Sequence, residues 1–363
     1  MRAQTPIPGK ARRAISREIT PSSHVTHGVL GKGLSRFRRA LLHWYDRSRR
    51  DLPWRRTHDP YAIWLSEIML QQTRVVAVLE HYKIFLARFP DIEALAAARE
   101  DDVLAAWSGL GYYRRARRMH QCARQIVEHH DACFPRTFDS LLALPGIGRY
   151  TAAAIASIAF AEPVAVVDGN VARVLQRILG GVDLSAAQSW QHAQALLDDL
   201  RPGDFNQAMM ELGATICTPR APRCPECPVR QWCATRGEVP RTRTSTPQRR
   251  KHIWCALEQR QQRHGVGRSR DEIRLVQRPK RTSLMAGMWE LPTSSEPPQS
   301  APAHWRTFRH SITVTDYTVH VLRDTPLVKA PSTARGKWIA IDRVMQLPIT
   351  GLTRKILRAG GII

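Results

Sequence analysis

The sequence predicts a mainly helical module followed by a smaller α+β domain. Three observations carry that prediction. Apolar residues recur at helical spacing from Ser35 to about Pro202, a basic proline-containing stretch interrupts the chain at 237–250, and short β-branched and aromatic runs follow it. A length of 363 residues suits two domains, and an apolar share of 43% suits folded ones.

Residues 1–34 mix Pro, Ser, Gly, Arg and His without periodicity and read as a flexible basic arm. The module at 35–236 opens with Phe37, Leu41, Leu42 and Tyr45 on one helical face. Val76, Leu79, Tyr82, Phe85 and Leu86 make a second such face. Asp101–Asp102–Val103–Leu104 has the texture of a helix start, and Pro90 and Pro135 punctuate the segments. The stretch GEVPRTRTSTPQRR, residues 237–250, is a linker by composition. In the domain at 251–363, strands are predicted at Ile253–Leu257, Ile273–Val276, Trp289–Leu291, Ile312–Leu322 and Lys337–Ile341, with a helix at Leu352–Leu357.

A formal net charge of +24 points to a polyanionic partner. No apolar run reaches the roughly 20 residues that span a bilayer, which leaves nucleic acid ahead of membrane. The N-terminus has basic residues but no apolar run after them, so it does not read as a secretory signal. Seven cysteines, four of them clustered, argue against a disulfide framework and for a metal site in a reducing cytoplasm.

Four local patterns carry chemistry. Cys217, Cys224, Cys227 and Cys233 follow C-x6-C-x2-C-x5-C, and four thiolates in so short a loop can close around an iron–sulfur cluster or a structural zinc. In Leu144–Pro145–Gly146–Ile147–Gly148–Arg149, two glycines flank one apolar residue between helical stretches. That suits a tight hairpin whose amides meet phosphate at the next helix N-terminus. Asp168 follows the apolar run Val166–Val167 and precedes a helix. It can serve as an N-cap, as an ionised carboxylate facing a cationic transition state, or as both. Glu67 sits inside the apolar stretch WLSEIML, where desolvation raises a carboxyl toward neutrality, as a general acid requires.

In this order, Glu, hairpin, Asp and four cysteines, the chain resembles the endonuclease III superfamily of helix-hairpin-helix glycosylases. The phrases LPWR, WLSEIMLQQT, WSGLGYYRRAR, LPGIGRYTAAAI, VDGNV and FNQAMMELGATIC look like the adenine DNA glycosylases of the MutY type. The phrase RLVQRPKRTSLMAGMWELP resembles the MutT-like, mismatch-recognising C-terminal domain of that family.

The resemblance implies a monofunctional enzyme that removes adenine mispaired with 8-oxoguanine or guanine. It also implies a [4Fe–4S] cluster on Cys217, Cys224, Cys227 and Cys233, a duplex DNA partner, and a monomer in the cytoplasm. It assigns Glu67 as the acid that protonates adenine, Asp168 as the stabiliser of the oxocarbenium ion, and Tyr150 and Asn170 to the surroundings of the sugar. Gln72, Thr73, Leu110 and Tyr112 fall where the family probes the duplex, Trp54 and Arg55 near the flipped base, and Gly146 and Gly148 in the DNA-gripping hairpin.

Two departures matter. Bifunctional relatives place a lysine at the Tyr150 position, and this chain has no lysine between Lys83 and Lys251. The family's Phe-Ser-His reading loop is replaced by Ile312–Thr313–Val314, which leaves Thr313 as the one polar side chain at the position where the resemblance implies reading of the opposite base. A nucleotide phosphohydrolase needs an acidic metal-binding helix after Gly287, where this chain instead carries Pro292, Pro297 and Pro298.

Overall fold

A computed structural model of the chain describes residues 33–237, 249–263, 269–282, 284–298, 304–312, 314–324, 327 and 336–363. Residues 1–32 of the basic arm, nearly all of the linker and Thr313 therefore lie outside the described residues, while Leu34, placed in the arm by sequence, begins the first helix.

Eleven helices of the helical module are described: α1 (Leu34–Ser48), α2 (Pro60–Leu70), α3 (Val75–Arg88), α4 (Ile92–Ala97), α5 (Glu100–Trp107), α6 (Arg114–His129), α7 (Phe138–Leu142), α8 (Arg149–Phe160), α9 (Gly169–Ile178), α10 (Ala186–Leu196) and α11 (Pro202–Thr215). Their starts follow from local chemistry. Pro60 occupies the first turn of α2 while the Asp59 carboxylate accepts from the Tyr61 and Ala62 amides. Ser185 and Gln188 close a reciprocal capping box at α10. Helix α5 begins at Glu100, one residue before the acidic pair that suggests its start.

These helices enclose two apolar cores. Residues from Leu52 to Val166 form one, around Trp64, Met69, Phe85, Trp107 and Ile155. The other joins Phe37, Leu41 and Tyr45 of α1 to Leu175, Phe205, Leu212 and Val229. Helix α1 is thus packed against segments roughly 130 to 190 residues further along, a pairing that no local pattern specifies. Helix α2 is buried along almost its whole length, which explains why its sequence is apolar all round rather than striped. In α3 the buried face is Val78, Tyr82 and Phe85. Val76 is 81% exposed, which corrects its assignment to that face.

The C-terminal part contains strands β1 (Arg249–Leu257), β2 (Gln259–Arg263), β3 (Ser269–Gln277), β4 (Trp289–Glu290), β5 (Thr293–Ser294), β6 (His304–Ile312), β7 (Thr315–Arg323) and β8 (Lys337–Ala340). Short helix α12 (Ile341–Val344) and helix α13 (Gly351–Ala359) follow. One sheet runs β5-β1-β7-β6, with β1 and β7 parallel. The other runs β2-β3-β4, with β8 on β3. The predicted strand Ile312–Leu322 instead takes in the last residue of β6 and most of β7, which pair antiparallel with Ile312 opposite Thr315. Strand β6 is missing from the sequence reading because HWRTFRHSI carries four cationic or imidazole side chains, and only Phe308 among its described side chains is buried.

This part docks on the turn between α5 and α6. Ser108 Oγ and Tyr113 Oη both donate to the Ile349 carbonyl, at 2.7 and 3.3 Å, and Arg354 Nε donates to Ser108 Oγ at 3.2 Å. Arg117 bonds the Ala286 carbonyl, and Met288 is buried in the first helical core.

Candidate functional site

A cleft of about 670 Å³ lies between the two helical cores. Glu67 and Tyr150 enter from α2 and α8. Asp168, Asn170 and Glu211 enter from α9 and α11. Close packing sets their placement: a Cβ on Gly213 would lie 2.6 Å from Asn170 Cβ, so only glycine lets α11 approach the first turn of α9.

Glu67 is 6% exposed, and Tyr150 Oη donates to its Oε2 at 2.5 Å. Burial is the largest influence on Glu67. It is opposed by the Tyr150 hydrogen bond, reinforced by the Asp168 charge and opposed again by Arg55, and the carboxyl is raised to about 7. Burial beside Glu67 also pushes the Tyr150 hydroxyl well above its ordinary value, so it stays a donor.

Asp168 does two jobs at once. Its Oδ1 accepts from the Val171 amide at 2.7 Å and caps α9, while its Oδ2 accepts from Asn170 Nδ2 at 2.8 Å at the cleft wall. Asn170 Oδ1 accepts in turn from Arg173 Nη2, whose Nε donates to the Cys217 carbonyl, both at 2.9 Å.

Glu211 is the residue that sequence reasoning missed. It is 1% exposed and lines the same cleft. Arg50 Nε and Nη2 and Arg55 Nη2 donate to its two oxygens, each at 2.7 Å. Burial alone would raise this carboxyl. The charge-assisted bonds from Arg50 and Arg55 outweigh it and hold Glu211 at about 2. The clue was present in MMELG, a glutamate inside an apolar helix as in WLSEIML.

Of the other sequence candidates, Trp54, Gln72 and Thr73 line the cleft with Arg55. Trp54 packs edge-on against Tyr82. Leu110 is 5% exposed inside the first core and does not line the cleft, whereas Tyr112 beside it is 47% exposed. Gln72 and Tyr112 hold left-handed backbones, φ 57° and 48°. Gly146 has φ +82°, and a Cβ there would strike Arg118. Gly148 supplies the extended N-cap of α8 with nothing near its absent Cβ. Cys217, Cys224, Cys227 and Cys233 line one cavity together with Arg177, which is 6% exposed and donates to Cys217 Sγ at 3.2 Å.

Residues 65–196 match the HhH-GPD superfamily of base excision DNA repair proteins. The chain is 36% identical to the human adenine DNA glycosylase over an alignment that covers 89% of this chain and 73% of that enzyme. The chain belongs to the adenine DNA glycosylase family. This glycosylase is 40% identical to the rat adenine DNA glycosylase, across 74% of its own length and 62% of the rat enzyme's. Among solved structures it resembles a thermostable thymine-DNA glycosylase, at 30% identity and a TM-score of 0.52, over 56% of this chain and 96% of that one. Family membership makes it a DNA N-glycosylase of the base-excision type.

Proposed function

We propose that the glycosylase removes adenine mispaired with 8-oxoguanine or guanine by acid-assisted hydrolysis of the N-glycosidic bond. The observation that carries the reading is one cleft holding a carboxyl poised near 7 and, on the facing core, a second carboxylate at a helix N-cap. Adenine leaves poorly until its ring is protonated. Glu67, its carboxyl raised by burial to about 7 and so partly protonated at neutral pH, gives that proton. The C1′–N9 bond then weakens, positive charge grows on the sugar, and Asp168 stabilises it. Water completes the hydrolysis. The target base must first leave the stack, which is easier at a mismatch. No lysine lies near Tyr150 in sequence, so the product is an intact abasic site.

We read the cysteine loop as the holder of a [4Fe–4S] cluster. Supporting this, the four cysteines line one cavity, and the buried Arg177 guanidinium donates to Cys217 Sγ there. Among the described residues no group of three or more His, Cys, Asp or Glu side chains converges closely enough to hold a metal ion. A cluster bound there would clasp the loop beside Arg220, Arg223 and Arg230 for phosphate contact.

The sheet-rich part we read as MutT-like and as the reader of the opposite base. Its described residues from Gly287 to Ala340 form strands and turns without the acidic helix of a phosphohydrolase. The test is incubation with labelled duplexes bearing adenine opposite 8-oxoguanine, guanine or thymine, with and without alkali. Strand breaks at the adenine that appear only after alkali, and only in the first two duplexes, are expected. Equal cleavage of all three, or none, rejects the reading.

A further inference from the structure

Two turns meet beside the cleft. The chain leaves α2 through Gln71–Gln72–Thr73, and it leaves α5 through Leu110–Gly111–Tyr112. Each contains a non-glycine residue in the left-handed region, Gln72 and Tyr112, a conformation that persists only where its surroundings hold it. One side chain spans both. Arg115 Nη1 donates to the carbonyls of Ile68, Met69 and Gln71 at 2.6, 3.1 and 2.6 Å. Its Nη2 donates to Thr73 Oγ1 at 3.2 Å and to the carbonyls of Leu110 and Gly111, each at 3.4 Å. The guanidinium also lies 5.4 Å from the ring centres of Trp107 and Tyr112.

We propose that Arg115 is the positioning residue that holds these two turns in fixed register, so that Gln72 and Tyr112 enter a duplex together. This rests on the reading of both turns as probes of DNA that the family resemblance implies. The chemistry selects arginine. The carbonyls at the end of α2 have no helical partner, and a cation there also meets the negative end of the helix dipole. Reaching acceptors on both turns at once needs a planar fork with several donors, whereas a lysine ammonium offers three donors from one point. Burial pulls the guanidinium down to about 10, which still leaves it charged at neutral pH. The same α5–α6 turn bonds the C-terminal part through Ser108 and Tyr113, so Arg115 joins the base-reading side of the molecule to the helix that carries Glu67.

The test uses the full chain with Arg115→Met and Arg115→Lys. Unstacking is read first, in a Glu67→Gln background, from 2-aminopurine placed beside the adenine of an 8-oxoguanine mismatch. Single-turnover excision per titrated active site is read with Glu67 present, across pH. Arg115→Met is expected to lower the unstacking amplitude and slow excision roughly tenfold to a hundredfold, the range for slight misplacement of reacting groups. Arg115→Lys should fall between it and the wild type. The alkaline midpoint set by Glu67 should not move. A merely structural arginine would reduce the active fraction and leave both per-site readings unchanged, which overturns the proposal. If Arg115→Met does not fold, hydrogen exchange of the Lys variant decides. Faster exchange confined to residues 71–73 and 110–113 supports the proposal, and unchanged exchange there sinks it. A wild type that excises no adenine refutes the proposed function, while the unstacking arm still judges Arg115.

Discussion

Glu67 and Glu211 sit in one cleft, each inside an apolar helix, yet one is raised to about 7 and the other held at about 2. The difference lies in their partners. Glu67 receives a neutral phenol, and Glu211 receives two guanidiniums. If Glu67 is the acid, only its protonated form works, so single-turnover excision should fall about tenfold per pH unit above about 7. Glu67→Gln should lose that limb together with at least about 10²-fold in rate while still binding the mismatch. Excision within threefold of wild type would clear Glu67 of the role. Tyr150→Phe removes a bond that favours the ionised form of Glu67, so the alkaline midpoint should move upward. A downward shift would contradict the geometry. Glu211→Gln leaves the buried Arg55 guanidinium without its carboxylate and should cost about 3 kcal/mol in a denaturant melt, the scale for breaking a buried pair. The depressed Glu211 value makes its stabilisation complete above about 4.5 and lost as pH falls toward about 2, so the melts of variant and wild type should converge in acid.

At the scale of elements, helix α9 is where stability and chemistry share one side chain. Asp168→Asn keeps an oxygen to accept from Val171 and removes the charge. The melt should therefore stay within about 1 kcal/mol of wild type, while excision falls by about 10²-fold or more, the scale for losing electrostatic transition-state stabilisation. Equal loss of both would mean that the residue is only a cap. Several elements were legible from sequence for local reasons. The apolar face of α1, the cap before α9 and the φ > 0 turn at Gly146 are all written in neighbouring residues. Strand β6 was not, because its identity comes from pairing with β7 rather than from its own alternation.

At the scale of the whole molecule, the proposed opposite-base reading and the proposed catalysis fall to different parts of the chain. Among the described residues, the cleft carboxyls all lie in the helical module, while the C-terminal part touches that module at the α5–α6 turn. Removing residues 249–363 should therefore reduce the ratio of excision opposite 8-oxoguanine to excision opposite guanine more than it slows excision itself. It should also lower the melting temperature, because Met288 leaves the first core. A retained ratio would place the reading in the helical module. The charge of +24 acts at this scale too, and affinity for any duplex should drop steeply with salt.

The sequence by itself determined the chemistry-bearing residue types and their order: a glutamate in an apolar helix, a glycine hairpin, an aspartate before a helix, and four closely spaced cysteines. These are short-range patterns, and short-range sterics, capping and burial enforce them. Only the tertiary structure decided which groups meet. Arg50 and Arg55 reach Glu211 across 161 and 156 residues, Tyr150 reaches Glu67 across 83, and the docking of Ser108 on Ile349 spans 241. Such pairings depend on how two apolar cores pack around a shared cleft. Their energies therefore set the charge states of Glu67 and Glu211, although each carries the same local sequence signal.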